Sequence, residues 1–409
     1  MKNLFLSLFT VLFTLVLTSC NNNPAQLVTY VEAPVGLNSS ESSLYRSDDG
    51  SIYLSWIEAD SLKNSTLLLS KLEQSNSWAA PTTIARGNDW FVNWADFPSI
   101  SSFGKQNLVA HYLEKSAGGT YTYDVKLTIS NDQGHNWGDG FKAHHDNTKS
   151  EHGFVSKVAI DEKSFLAVWL DGRQMAYAKN DTTIVSQMTL RGGVFNDEGI
   201  MQADYLLDDR VCECCQTDTA MTQEGPIVIY RNRSESEIRD IYYTRQVDGH
   251  WTAPEPLHND SWKIEGCPVN GPAMSTKDNE VGIAWYTMAN GLPSVKVIFS
   301  NNNGQTFNEP IKIDDIYPLG RVDIEMLNSG TALVSWLDRV NDETLIQLQR
   351  VHINGDKSDV ITLTKSSESR SSGFPRMAIK NENAYISWTQ VKNNTTTVKT
   401  AVINTALMH

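Results

Sequence analysis

A short apolar run that ends in an aromatic residue and then turns polar recurs seven times along this chain. The copies are "IYLSWIE", "LVAHYLE", "FLAVWLDGR", "IVIYRNR", "VGIAWYT", "ALVSWLDR" and "AYISWTQ". Their aromatic anchors are Trp56, Tyr112, Trp169, Tyr230, Trp285, Trp336 and Trp388, spaced 56, 57, 61, 55, 51 and 52 residues apart. After Asn21 the sequence shows short β-branched or alternating runs between Gly, Asn and Asp turns and almost no helical periodicity, which defines an all-β chain. A repeat of this length holds four short strands and their turns, the size of one β-propeller blade. The expectation is therefore a β-propeller of seven blades, or six if one copy is an insertion. In most units a short strand precedes the anchor, as in "VSKVAID" or "PRMAIK", and is expected to be innermost, with the anchor strand second. The last unit runs out after three strands, and "LVTYVEAPV" near the N-terminus has no unit of its own. It is expected to pair as the outer strand of the last blade, closing the ring and removing a sheet edge.

The ends and the charge bound the setting. "MKNLFLSLFTVLFTLVLTSC" has a basic start, an apolar run and small residues before Cys20, the order of a secretory signal peptide. The run is too short to span a bilayer stably. "LTSC" resembles the bacterial lipoprotein box, which implies lipidation at Cys20. The divisions expected are a signal peptide over 1–19, a lipidated cysteine and polar tether over 20–27, and a single propeller domain over 28–409. That predicts an exported bacterial lipoprotein, a monomer, membrane-anchored on the periplasmic or cell-surface side. A formal net charge of −14 excludes a phosphate-backbone binder, which needs a basic face.

The turn "SNDQGHNW" carries Ser130, Asp132, Gly134 and Trp137, and "SNNNGQTF" repeats it in degenerate form. Both lie between the third and fourth strands of their units. An Asp or Asn side chain bonds nearby amides in such a turn, and Gly supplies a positive φ. The pattern is similar to the Asp-box of sialidase-like BNR-repeat propellers. In that family the motif is structural, and the resemblance supports fold better than activity.

What the resemblance implies chemically is an exo-α-sialidase-like glycoside hydrolase. Three arginines grip a sugar carboxylate, a tyrosine helped by a glutamate is the nucleophile, and an aspartate is the acid. Guanidinium forks suit a carboxylate because they donate two parallel hydrogen bonds. In a propeller the loops after the second strands and the starts of the inner strands meet on one axial face. On that face Arg173, Arg231 and Arg321 are expected in the grip, with Arg339 as substitute. Tyr286 is the expected nucleophile, and Asp171 and Asp323 are the expected carboxylates. The family's Arg-Ile-Pro stretch is missing, and "LYRSDDG" with Arg46 is a poor stand-in. The readings carried forward are hydrolysis or recognition of an acidic sugar or small-molecule ligand at the hub, and a non-catalytic glycan- or protein-binding propeller. "KAHHDN" pairs His144 with His145. These could bind metal or act as a lyase base, but a solvated loop is the plainer reading. No nucleophile elbow, zinc-protease motif or phosphate loop is present.

"RVCECCQTD" places Cys212, Cys214 and Cys215 within four positions, and "EGCPVNGP" adds Cys267. Outside the cytoplasm an even number of cysteines usually means disulfides. Two bridges clamping adjacent blades are expected, with Cys267 joined to Cys212 or Cys215. The alternative is a thiolate site for Zn or Cu in a metal-handling lipoprotein. No other cofactor is expected.

Overall fold

The computed structural model describes residues 26–409. The signal segment, Cys20 and most of the tether lie outside the described residues. Seven antiparallel sheets follow one another around an axis. They are blade 1 (39–87), blade 2 (100–142), blade 3 (152–211), blade 4 (218–256), blade 5 (273–314), blade 6 (318–365) and blade 7 (376–404 with 28–31). The chain is a seven-bladed β-propeller. The seven anchors occupy the same place in all blades, on the second strand from the axis, and all are buried. In blade 4 the outer strand is broken into His250–Trp251 and Glu255–Pro256, each pairing with Ile241–Val247. No helix among the described residues is long and apolar enough to cross a membrane.

The ring closes as the sequence predicts. Val28–Val31 pairs antiparallel with Thr395–Asn404 in the register Val28 to Ile403, so it forms the fourth strand of blade 7. The Tyr30 hydroxyl donates to the Leu363 carbonyl of blade 6 at 2.9 Å. The edge that blade 7 would otherwise present to solvent is covered.

A large aromatic core residue needs a partner for its polar tip, and acids supply it. Trp56 donates to Glu58, Trp169 to Asp171, Trp285 to Asp260 and Trp336 to Asp314, all at 2.7–2.9 Å. The Tyr230 hydroxyl donates to Asp208 at 2.6 Å. The Asp-box turns are likewise structural. Ser130 donates to Asp132, while the amides of Gly134 and Asn136 donate to Ser130 Oγ and Asp132 Oδ1 at 2.9 Å. Gly134 has φ +89°, and a Cβ there would press on Leu69 of blade 1. Trp137 donates to the Gly134 carbonyl. Ser300, Asn302 and Gly304 reproduce the pattern in blade 5.

Polar residues at inner-strand starts join neighbouring blades at four junctions. Asp96 accepts from the Phe154 amide, Asp218 from Met274, Asn270 from Arg321 and Asp323 from Met377, at 2.6–2.8 Å. The hub is not an open pocket at this end. The segment 93–97 reaches across the axis, where Trp94 and Phe97 pack on Phe374. Gln216 of the blade 3–4 linker donates to the Ala95 carbonyl at 2.6 Å. Below this roof a channel of about 340 Å³ is lined by Lys157, Asp218, Asp323, Glu325 and Arg376.

Candidate active site on the axial face

The arginines expected to grip a carboxylate are already engaged by the protein. Arg231 is 1 % exposed. It donates to the carbonyls of Asn270, Arg239 and Tyr286 at 2.6–3.0 Å and lies over the Trp262 ring. Arg321 donates to the carbonyls of Gly373, Ser369 and Glu368 and to Ser372 Oγ, and lies over Trp94. Arg173 is bidentate to Asp171 at 2.7 Å. Arg339 forms an outlying ion pair with Glu368. Among these four arginines no three free forks converge, because buried guanidinium must find acceptors and carbonyls at blade junctions supply them.

The expected catalytic residues separate in the same way. Asp171 is buried and accepts from Trp169 and Arg173. Burial raises its pKa, but the Arg173 hydrogen bonds and the His152 charge more than offset this and hold it below the usual value. It is therefore ill suited to donate a proton. Asp323 is tied to the Met377 amide and pairs with Arg376 at 3.0 Å. Tyr286 packs edge-on against Trp262, and its carbonyl receives Arg231.

A different group gathers at the same end of blades 2 and 3. Tyr123 begins the third strand of blade 2, Tyr123–Ser130. Glu151 immediately precedes the inner strand of blade 3, His152–Ala159. The Tyr123 hydroxyl donates to Glu151 Oε1 at 2.8 Å, and Asp96 Oδ2 lies 3.2 Å from the same oxygen. A Cβ at Gly153 would collide with the Asp96 carboxyl, so only glycine admits this approach. Phe154, next along, has φ +55° at a register shift in the strand. Such a bulge re-aims side chains at a rim. Burial pushes Asp96 up to about 8, against the Phe154 hydrogen bond. Burial also pushes Glu151 up to about 7; the Tyr123 hydrogen bond opposes this and the Glu213 charge adds to it. Glu151 keeps partial access to solvent, whereas Asp96 and Tyr123 are sealed.

Aromatic rings lead from this group to the surface. Phe91 stacks on Tyr123 with centroids 4.1 Å apart, and Tyr121, 61 % exposed, meets Phe91 edge-on. Behind Glu151, Asp146 lies between His144 Nδ1 at 2.8 Å and His152 Nε2 at 3.1 Å, with the two rings stacked 3.6 Å apart. The solvated-loop reading of His144 is thus replaced by a buried one. Burial lowers His144. For His152, the Asp146 hydrogen bond and the neighbouring acids outweigh burial and raise it. Across the mouth, Glu213 is held by Arg233 and by Arg239, the latter at 3.0 Å.

The two expected disulfides are not formed. Cys212, Cys214, Cys215 and Cys267 are all free. The first three sit on one turn with sulfurs converging on a common point rather than in two pairs.

Sequence reasoning missed Tyr123, Glu151 and Asp146. The signal for Glu151 was available: it stands at the start of blade 3's inner strand, in "SEHGFVSK", the position sampled in the other blades.

No protein-family model matches this sequence, and no curated protein matches it. Among solved structures, a protein of unknown function from Dyadobacter fermentans DSM 18053 is 12 % identical. It aligns over 92 % of this chain and 97 % of its own at a TM-score of 0.50. An α-L-arabinanase from Penicillium chrysogenum, complexed with arabinobiose, is 8 % identical over 93 % and 98 % with a TM-score of 0.50. Polysaccharide lyase Uly1 is 8 % identical over 89 % of each chain with a TM-score of 0.52. These likenesses establish the propeller fold. Fold and site together define a seven-bladed propeller with a buried carboxyl–tyrosine group and a run of aromatic rings beside its hub.

Proposed function

We propose that this protein is an exported glycan-active propeller that cleaves a glycosidic bond on the axial face of blades 2–4. The observation that carries the reading is the Asp96–Tyr123–Glu151 chain, which ends in a solvent-reachable carboxyl near neutrality. A general acid works best with a pKa close to the operating pH. Glu151 protonates the leaving oxygen, and Glu213, paired with Arg233 and Arg239, is the second carboxyl of the site. Tyr121 and Phe91 offer ring faces to the apolar face of a sugar. Support of a weaker kind comes from the arabinanase and the lyase, which carry carbohydrate chemistry on the same scaffold.

The choice of an acidic sugar rested on an arginine grip, and those arginines serve blade junctions instead. Neutral arabinans and uronate-containing polysaccharides therefore belong beside sialosides in the test. Product release is measured across that panel for the wild type and Glu151→Gln, with circular dichroism as the fold check. The reading holds if one glycan is cleaved and the folded variant loses at least ~100-fold in kcat. It fails if the folded variant retains wild-type turnover, or if no glycan is cleaved. Binding without cleavage would leave the non-catalytic reading in its place.

A further inference from the structure

We infer that Cys212, Cys214, Cys215 and Cys267 form a binding site for one thiophilic d¹⁰ cation, zinc(II) or copper(I), that ties the mouth of blade 4 to the segment leading into blade 5. The inference stands on the geometry of the sulfurs and is independent of the glycan reading. Cys212 Sγ lies 3.8 Å from Cys214 Sγ and 3.1 Å from Cys215 Sγ. All three sulfurs lie within 4.8 Å of one another. Cys267, on the segment leading into blade 5, is the remaining thiol and lies outside that tight group of three. A tetrahedral site with metal–sulfur bonds of ~2.3 Å has sulfurs ~3.8 Å apart, whereas a disulfide needs ~2.05 Å. Three thiols converging on one turn match a metal's donor set better than two separate pairs, and Cys267 on the next linker is the thiol placed to complete it.

The surroundings answer the charge of such a site. Arg239, almost fully buried, directs Nη1 at Cys212 Sγ from 3.3 Å. Four thiolates around a dication leave an excess of two negative charges, which a buried guanidinium partly offsets. The turn is fixed from beneath, since the Cys212 amide donates to the Arg231 carbonyl at 3.0 Å. Cys212 and Cys215 are buried, while Cys214 is half-buried and Cys267 exposed. The cluster thus has a closed base and an open side through which an ion can enter. All-sulfur donors favour zinc or copper(I) over hard cations.

The test uses the full-length protein purified without added metal. Elemental analysis is expected to find about one zinc or copper per chain and tells the two apart. X-ray absorption at that metal's edge is expected to show three or four sulfur neighbours at ~2.3 Å. Cys214→Ser and Cys267→Ser are each expected to weaken retention at least ~10-fold in competition with a chelator. The wild-type absorption spectrum decides the matter even if these variants fold poorly. Metal-free protein carrying two disulfides, or four freely titrating thiols that take up neither zinc nor copper(I), overturns the inference. So does a bound metal with nitrogen and oxygen neighbours only.

Discussion

Arg231 donates a hydrogen bond to the backbone carbonyl of Tyr286 at 2.8 Å, linking blade 4 to blade 5. Both residues resemble parts of a sialidase-like site in sequence, yet in the fold they are partners of each other. Arg231→Met leaves the carbonyls of Asn270, Arg239 and Tyr286 without their donor and removes the cation over Trp262. The expected cost is about 3 kcal/mol or more, read as a lower denaturation midpoint. The protein that remains folded keeps its glycan turnover, so kcat per folded molecule is the second readout.

Tyr123→Phe removes the hydroxyl that bonds both Glu151 and Asp96. That hydrogen bond favours the ionised Glu151, so its loss moves the Glu151 pKa upward. The alkaline limb of the pH–rate profile is expected to shift to higher pH while the fold persists. A profile that does not move would separate Tyr123 from the chemistry.

Stability is expected to fall as pH rises from 5 to 7. Burial raises Asp96 to about 8, Glu325 to about 8, Glu151 to about 7 and Asp323 to about 6. Free carboxyls titrate near 4. Between those values the folded chain binds protons that the unfolded chain does not, so this stabilisation is complete at low pH and is lost through the raised values. His152, held above its usual value, acts in the same direction, and His144 opposes it. Lys157, depressed to about 7, contributes with the opposite sign only above that pH. One extra proton on the folded chain over this range corresponds to a Tm decrease of at least ~2 °C. Asp96→Asn and Glu325→Gln should flatten the slope in calorimetry.

Deleting residues 28–31 uncovers the Thr395–Asn404 edge of blade 7. The expected result is a lower Tm and self-association visible by size-exclusion chromatography, because a bare strand edge recruits another chain.

Cys20→Ala tests the proposed lipid anchor. The variant is expected to lose acyl labelling and to move from the membrane fraction to the soluble one. Unchanged fractionation would set the anchor aside.

The fold was legible because each blade must bury one aromatic at the same depth, and Trp56 through Trp388 print that demand at regular spacing. The closing strand was legible because blade 7 lacked a partner and "LVTYVEAPV" lacked a blade. The site was less legible for physical reasons. Arg231 and Arg321 are satisfied by backbone carbonyls, acceptors that every residue carries and no sequence pattern marks. The segment bearing Trp94 and Phe97 has no strand period, so nothing announced that it would roof the axis. Asp323 does face the hub as expected, but as a link between neighbouring blades, and Asp96 plays the same part. Glu151 owes its raised pKa to burial at a blade junction, against the hydrogen bond from Tyr123, 28 positions away on another blade.

The account rests most directly on Glu151 as the proton donor, and the pH dependence of kcat/KM on the cleaved glycan tests it. The predicted result is a rate that falls as pH rises through about 7, and a folded Glu151→Gln variant in which turnover and that limb are lost together. A folded Glu151→Gln protein with the same rate and the same alkaline limb would contradict it.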